Sequence, residues 1–251
     1  MNKIAIITFL VIAALVLSAP ALQAQEFEIP DVNLEISPGG EEGDDLVLTL
    51  QILLLLTFLS LAPAILIMVT SFTRIIIVLS MIRNALATRT MPPNQVLIGL
   101  ALFLTVFIMA PVWQGVMEEA VTPYLEDEIG TEEMIEEGLV PVRAFMFEQV
   151  REQDLSLFYE MTEMDRPESQ ADVPTYLLIP AFVMSELKTA FIIGFIIYIP
   201  FVMIDMVVAS ILMSMGMLML PPVMISLPFK IMLFVLVDGW YLVIESLIRT
   251  F

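Results

Sequence analysis

Apolar residues dominate four stretches of this chain, and one long polar stretch separates the second from the third. The first apolar run begins at Leu46 and continues with little polar relief to Ile82, and the second extends from Val96 to Trp113. Beyond a polar region over 114–175, apolar residues return at Tyr176 and persist to 219, and a last segment follows from Phe229 to Ile248. A bilayer core is crossed by about 20 helical residues, and tilt absorbs only a few more. The runs 46–82 and 176–219 are each about twice that length, with no polar loop in them and with Pro63 and Pro200 as their mid-run interruptions. Kinked or re-entrant helices are one solution. The preferred one is that much of this apolar surface faces other protein chains rather than lipid, which makes the chain an obligate component of an assembly. The pattern predicts an all-α, membrane-associated fold of long kinked helices and helical hairpins with a small helical outer domain. Its parts are an N-terminal apolar hairpin (46–113), an acidic helical domain (114–175) and a C-terminal apolar hairpin (176–251).

The polar region holds seventeen Asp or Glu against three Arg. Its apolar residues keep helical spacing: Val142, Phe145, Met146 and Gln149 recur on one face, followed by Leu155, Phe158 and Tyr159. Pro141 sits where the first turn of a helix accepts a proline. A charged disordered loop is the alternative, and the aromatic residues argue against it.

Between the last two apolar segments, Ile211 to Leu227 holds five methionines, Gly216 and the pair Pro221-Pro222. Methionine is unbranched and polarizable, so it fills irregular gaps and repacks against changing partners. Glycine and the double proline take the backbone out of regular helix. Irregular backbone at membrane depth is tolerated where protein buries it or where it lines a cavity. The segment therefore reads as a flexible apolar loop that surrounds or seals something; a plain methionine-rich turn is the bland alternative.

The N-terminus adds a location. Residues 1–24 read as a secretory signal, with Lys3, an apolar run from Ile4 to Leu17 too short to span comfortably, and small residues that place the cut after Ala21 or Ala24. A retained first membrane helix is the alternative. Residues 25–45, acidic and without Lys or Arg, read as a disordered leader. The loop after the first run carries Arg83 and Arg89 and no acid, so it belongs on the cytoplasmic side. The region 114–175 then faces the periplasm, in agreement with the signal.

Composition narrows the chemistry. The chain has 251 residues, 59% of them hydrophobic, and a mean hydropathy of +0.93, outside the range of ordinary soluble domains. It contains no cysteine and no histidine. Disulfides, thiol catalysis, a histidine base and the usual zinc sites are thereby excluded. The net charge of −19 is concentrated in 114–175, and no basic patch supports nucleic-acid binding. No glycine-rich, lysine-bearing phosphate loop is present, so no cofactor is expected.

Glu186, Lys188, Asp205, Lys230 and Asp238 lie within the C-terminal apolar half. Each is costly at membrane depth unless paired or hydrated. Pairing of Glu186 or Asp205 with Lys230 is chemically sensible; snorkelling is the alternative for the two lysines. Asp205 and Asp238 lack the glycine-bearing context of an intramembrane aspartyl protease, and an enzymatic role is not expected.

Several segments together resemble the FliP family of flagellar biosynthesis proteins and their counterparts in virulence type III secretion. They are Thr70-Ser-Phe-Thr-Arg-Ile-Ile-Ile-Val78, Arg83-Asn-Ala-Leu86, Pro92-Pro-Asn-Gln-Val96, Pro180-Ala-Phe-Val-Met-Ser-Glu-Leu-Lys-Thr-Ala-Phe191 and Pro228-Phe-Lys-Ile-Met-Leu-Phe-Val-Leu-Val-Asp-Gly-Trp240. The last two match the family's two signature patterns, and the likeness covers about 46–251. The resemblance implies a subunit of the protein export gate in the bacterial inner membrane. There, several copies form a ring with FliR, wrapped by FliQ, FlhB associates with the closed end, and unfolded substrates pass through the centre. It implies that Met217, Leu218 and Met219 form a gasket around the closed pore; Gly216, Pro221 and Pro222, which interrupt regular helix, are the expected loop hinge. Leu218 interrupts the family's usual run of methionines, so no role unique to a central methionine is carried over. The resemblance also implies that Glu186 and Lys230 pair between neighbouring subunits. Two other classes compete: a small-solute channel or secondary transporter, which predicts internal repeats and a midplane polar site, and a membrane scaffold without a pore.

Overall fold

The computed structural model describes residues 44–88, 90–162, 167, 169–217 and 219–251. The signal segment, nearly all of the leader, Arg89 and Leu218 lie outside the described residues. The chain divides into two units, 1–56 and 57–251. All regular structure among the described residues is helical, in line with the all-α expectation.

Helix α1 (Asp44–Met68) contains the described part of the first unit, 44–56, and takes Pro63 into its interior. Residues 44 and 45, read from sequence as the end of the leader, are already helical. The long run 46–82 is two helices, because the chain breaks at 69–71 before α2 (Phe72–Ala85). Thr70 and Thr73 supply the reason. Both hydroxyls donate to the Ile67 carbonyl, at 3.5 and 3.2 Å, and so meet part of the hydrogen-bonding need of the end of α1.

Helix α2 buries Arg74, Ile75, Val78, Leu79, Ile82 and Ala85, a stripe of period 3.6. Full burial of each of the four large apolar side chains is worth about 1.5–3 kcal/mol relative to exposure. The chain returns in α3 (Asn94–Ile108), and Arg83 ties the connection by donating to Asn94 Oδ1 at 2.5 Å and to the Pro92 carbonyl at 3.3 Å.

The polar region opens with α4 (Ala110–Val116), a widened turn of i→i+5 bonds (Met117–Val121) and the short α5 (Thr122–Leu125). Helices α6 (Thr131–Gln149) and α7 (Glu152–Thr162) follow. Pro141 does not begin a helix, as its spacing suggested; it lies inside α6, which starts at Thr131. An interior proline removes one backbone donor and crowds the carbonyl four residues before it, and here its ring packs beside Gly115 of α4. Phe145 and Met146, expected on the apolar face, are the buried residues of α6.

Helix α8 (Thr175–Ser214) is a single element of 40 residues that runs through Pro180 and Pro200. At 1.5 Å per residue it is about 60 Å long, about twice a bilayer core. Helices α9 (Pro222–Leu236) and α10 (Gly239–Ile248) return along it, with a bend of 63° between them. Helices α2 and α8 run parallel: Arg74 meets Glu186, and Met81 lies against Gly194. The second unit has two apolar clusters. One joins α2, α3, α8, α9 and α10 around Leu79, Ile82, Leu97, Ala190, Phe234 and Leu247. The other joins α6 and α7 to the first turns of α8 through Phe145, Met146, Tyr159, Leu178 and Phe182. Phe251 packs on both.

Candidate functional site

The loop after α8 is built around Gly216. Its φ of +74° is the left-handed conformation that costs a side-chain-bearing residue about 1–2 kcal/mol. Met217 N–H donates to the Leu212 carbonyl and Gly216 N–H to the Met213 carbonyl, both at 3.0 Å. That pair of bonds closes a helix C-terminus on a left-handed glycine. Pro221 precedes α9 and Pro222 is its first residue, where the absent N–H goes unmissed. Gly216 and the two prolines therefore bound a connection of four residues, 217–220. Within it, Met217 is exposed and Met219 is 98% exposed. Leu218, the middle member of the expected gasket, lies outside the described residues.

Charges in the apolar helices form two buried nodes. At the first, Arg74 is 2% and Glu186 0% exposed. Arg74 Nε donates to Glu186 Oε2 at 2.9 Å, and Arg74 Nη2 donates to Glu186 Oε1. The same guanidinium donates to Gln149 Oε1 and to the Thr250 carbonyl, both at 2.8 Å, and lies 3.8 Å over the Phe251 ring. A planar fork of five donors suits this convergence, and a lysine could not reproduce it. At the second node, Lys230 Nζ donates to Asp205 Oδ2 at 2.6 Å and to the Ala85 carbonyl at 3.3 Å, while Ser226 Oγ donates to Asp205 Oδ1 at 2.5 Å. Lys230 is 2% exposed.

Within the chain, then, Lys230 has the partner Asp205 that its chemistry allowed. Glu186 and Lys230 are not brought together; each has another partner in the same chain. Arg74 is the member of the first node that sequence reading missed. The signal was present, because Arg74 is the lone charged residue between Asp45 and Arg83, and such a residue inside an apolar run requires a partner.

A third node fixes the polar region to α8. Asp154 of α7 accepts from Ser185 Oγ at 2.7 Å and from Arg151 Nη2 at 2.5 Å, and Arg151 N–H donates to Ser185 Oγ at 3.0 Å. Burial alone would raise the Asp154 carboxyl. The hydrogen bonds from Ser185 and Arg151, with the charges of Arg151 and Lys188, outweigh it and hold the group below the ordinary aspartate value.

Among the described residues, two helices, Thr49–Met68 and α8, are long and apolar enough to cross a membrane, or up to four spans if each bent pair counts as one. With an all-helical chain and charges paired inside apolar helices, this defines a helical membrane protein. The family model for the FliP family matches residues 55–247, and the chain belongs to that family. The flagellar biosynthetic protein FliP of Bacillus subtilis strain 168 is 60% identical over 203 residues, covering 81% of this chain and 92% of that protein. The protein of the same name from Pectobacterium carotovorum is 54% identical over 237 residues, 94% and 90% of the two chains. That of Caulobacter vibrioides is 45% identical over 251 residues, 100% and 92%.

Proposed function

We propose that this chain is a subunit of the flagellar protein export gate in the bacterial inner membrane, with a structural rather than enzymatic role. Several copies, assembled with FliR and FliQ and in contact with FlhB, surround the passage through which unfolded substrates cross. Residues 114–175 face the periplasm. Met217, Leu218 and Met219 constrict the closed passage, and Gly216, Pro221 and Pro222 set the ends of the loop that carries them. Family membership supports the flagellar assignment. The observation that carries the gate is the loop itself: a side chain as apolar as Met219 stands 98% exposed at the end of a helix about twice as long as a bilayer is thick. An apolar ring excludes water and ions by dewetting, while soft side chains reshape around a passing polypeptide.

Replacing Met217, Leu218 and Met219 together by glycine removes that volume without adding charge. In cells expressing the whole gate, the variant complex should assemble and should leak small ions when no substrate is exported. A complex that assembles normally and stays as tight as the parent would show that the loop is only a turn. Leu218→Met, which conserves apolarity and nearly conserves volume, should be almost silent.

A further inference from the structure

From Thr175 onward the chain carries seven charged side chains: Glu186, Lys188, Asp205, Lys230, Asp238, Glu245 and Arg249. Five have bonded partners. Glu186 is held by Arg74, Asp205 by Lys230, and Glu245 by Arg249 at 2.7 Å. Lys188 and Asp238 remain, opposite in sign, both exposed and neither bonded to any described residue. Lys188 lies close enough to Asp154 to lower its pKa, but Asp154 already accepts from Ser185 and Arg151.

Each leftover charge is embedded in apolar surface of matching form. Asp238 sits at the elbow between α9 and α10 with φ +50°. The elbow is closely packed: a Cβ on Gly239 would fall 2.3 Å from the Phe234 ring, so only glycine fits there. Beside it opens an almost wholly apolar cavity of about 440 Å³, lined by Ile197, Phe201, Val237, Gly239, Leu242 and Val243 among others. Lys188 heads an exposed apolar stripe on α8. Phe191, Ile192 and Phe195, all exposed, follow it at i+3, i+4 and i+7, the spacing by which a helix anchors in a groove.

We infer that α8 of one copy docks at the α9–α10 elbow of a second copy, with Lys188 paired to Asp238 and the Phe191–Phe195 stripe seated at the elbow cavity. One chain supplies both halves, so the contact is head-to-tail and propagates into a ring if the rotation closes. The occupant is a second copy because this chain itself offers the complementary charge at the head of an apolar anchor. The contact deepens the multi-copy reading proposed above and rests on it.

The absence of native cysteine makes the test direct. The double variant Lys188→Cys with Asp238→Cys, in the co-expressed complete gate, is treated with a short bis-maleimide. A ladder of crosslinked copies should appear with the double variant and with neither single variant. A multi-copy complex of parental size without a ladder overturns this contact alone and leaves the cavity to another subunit or to lipid. Recovery only of single copies overturns the oligomeric reading and the contact with it. In parallel, Asp238→Lys should reduce recovered multi-copy complex about tenfold, as expected for a charge left unpaired in an interface. Adding Lys188→Asp should restore much of it. Asp238→Asn, which keeps a residue suited to the left-handed elbow, should give a smaller loss. Undiminished recovery of both Asp238→Lys and Lys188→Asp as single variants would overturn the pairing.

Discussion

Glu186 is fully buried, and Arg74 meets its carboxyl group with two donors. Removal of one partner from such a pair costs about 3–5 kcal/mol, because the other charge stays buried. Glu186→Ala should therefore destabilise the chain by about that amount in denaturant unfolding in detergent. Removal of both charges should cost less. Arg74→Met with Glu186→Leu keeps the volume and leaves only Gln149 Oε1 and the Thr250 carbonyl without their donor. The two single effects should thus be strongly non-additive. Glu186→Ala and Lys230→Ala, which disturb separate nodes, should add. Coupling between Glu186 and Lys230 in the assembled complex, with none between Glu186 and Arg74, would instead favour the pair between subunits that the family resemblance suggests. The partner of Lys230 was among those its chemistry allowed. Arg74 stood out as a lone charge in its apolar run, but its pairing with Glu186 was not legible, because 112 positions separate the two and nothing local links them.

At the scale of the element, what was legible followed from periodicity, and what was not followed from how little a single residue does to a packed helix. The apolar face at Phe145 and Met146 was read correctly. The start of that helix was not, because Pro141 looked like a first-turn residue, whereas it lies in mid-helix with its ring packed beside Gly115. The same overvaluation made Pro200 look like an interruption in α8. Conversely, the short polar run Thr70-Ser71 went unremarked, although its neighbourhood ends α1. The loop after α8 was legible from Gly216, whose role proved to be a left-handed helix cap. Gly216→Ala keeps open space around the new methyl but strains the backbone by about 1–2 kcal/mol, partly offset by lower entropy of the unfolded chain. It should lower the thermal midpoint of the isolated chain in detergent by about 2–4 °C. Gly99→Ala, in the interior of α3 with equally open space and no positive φ, should leave the midpoint unchanged or raise it. A fall of equal size in both variants would show that the Gly216 backbone is not the cause.

At the scale of the whole chain, the paired charges mark levels along the helices. Glu186 and Asp205 are nineteen residues apart on α8, about 28 Å along the axis, which approaches the thickness of a hydrocarbon core. Apart from Lys188, within a turn of the first node, no charge lies between them on this helix. At the first level Arg74 also holds Gln149 of the acidic domain. At the second, Lys230 also reaches the Ala85 carbonyl, where α2 ends. The acidic domain thus stands at one end of this slab. The connection 86–93 stands at the other, with the methionine loop nine residues farther along α8 on the same side. By the positive-inside rule, the arginine in that connection predicts a slab oriented with the methionine loop toward the cytoplasm. Single cysteines at Thr90 and Glu133, both exposed, report this in an otherwise cysteine-free chain. In intact cells with a permeabilised outer membrane, a thiol reagent confined to the periplasm should label position 133 and spare position 90 until the inner membrane is opened. Labelling of 90 with protection of 133 would invert the chain and carry the methionine loop to the periplasmic face. Labelling of both would place the two ends on one side, and the two charge levels would then not bracket a membrane.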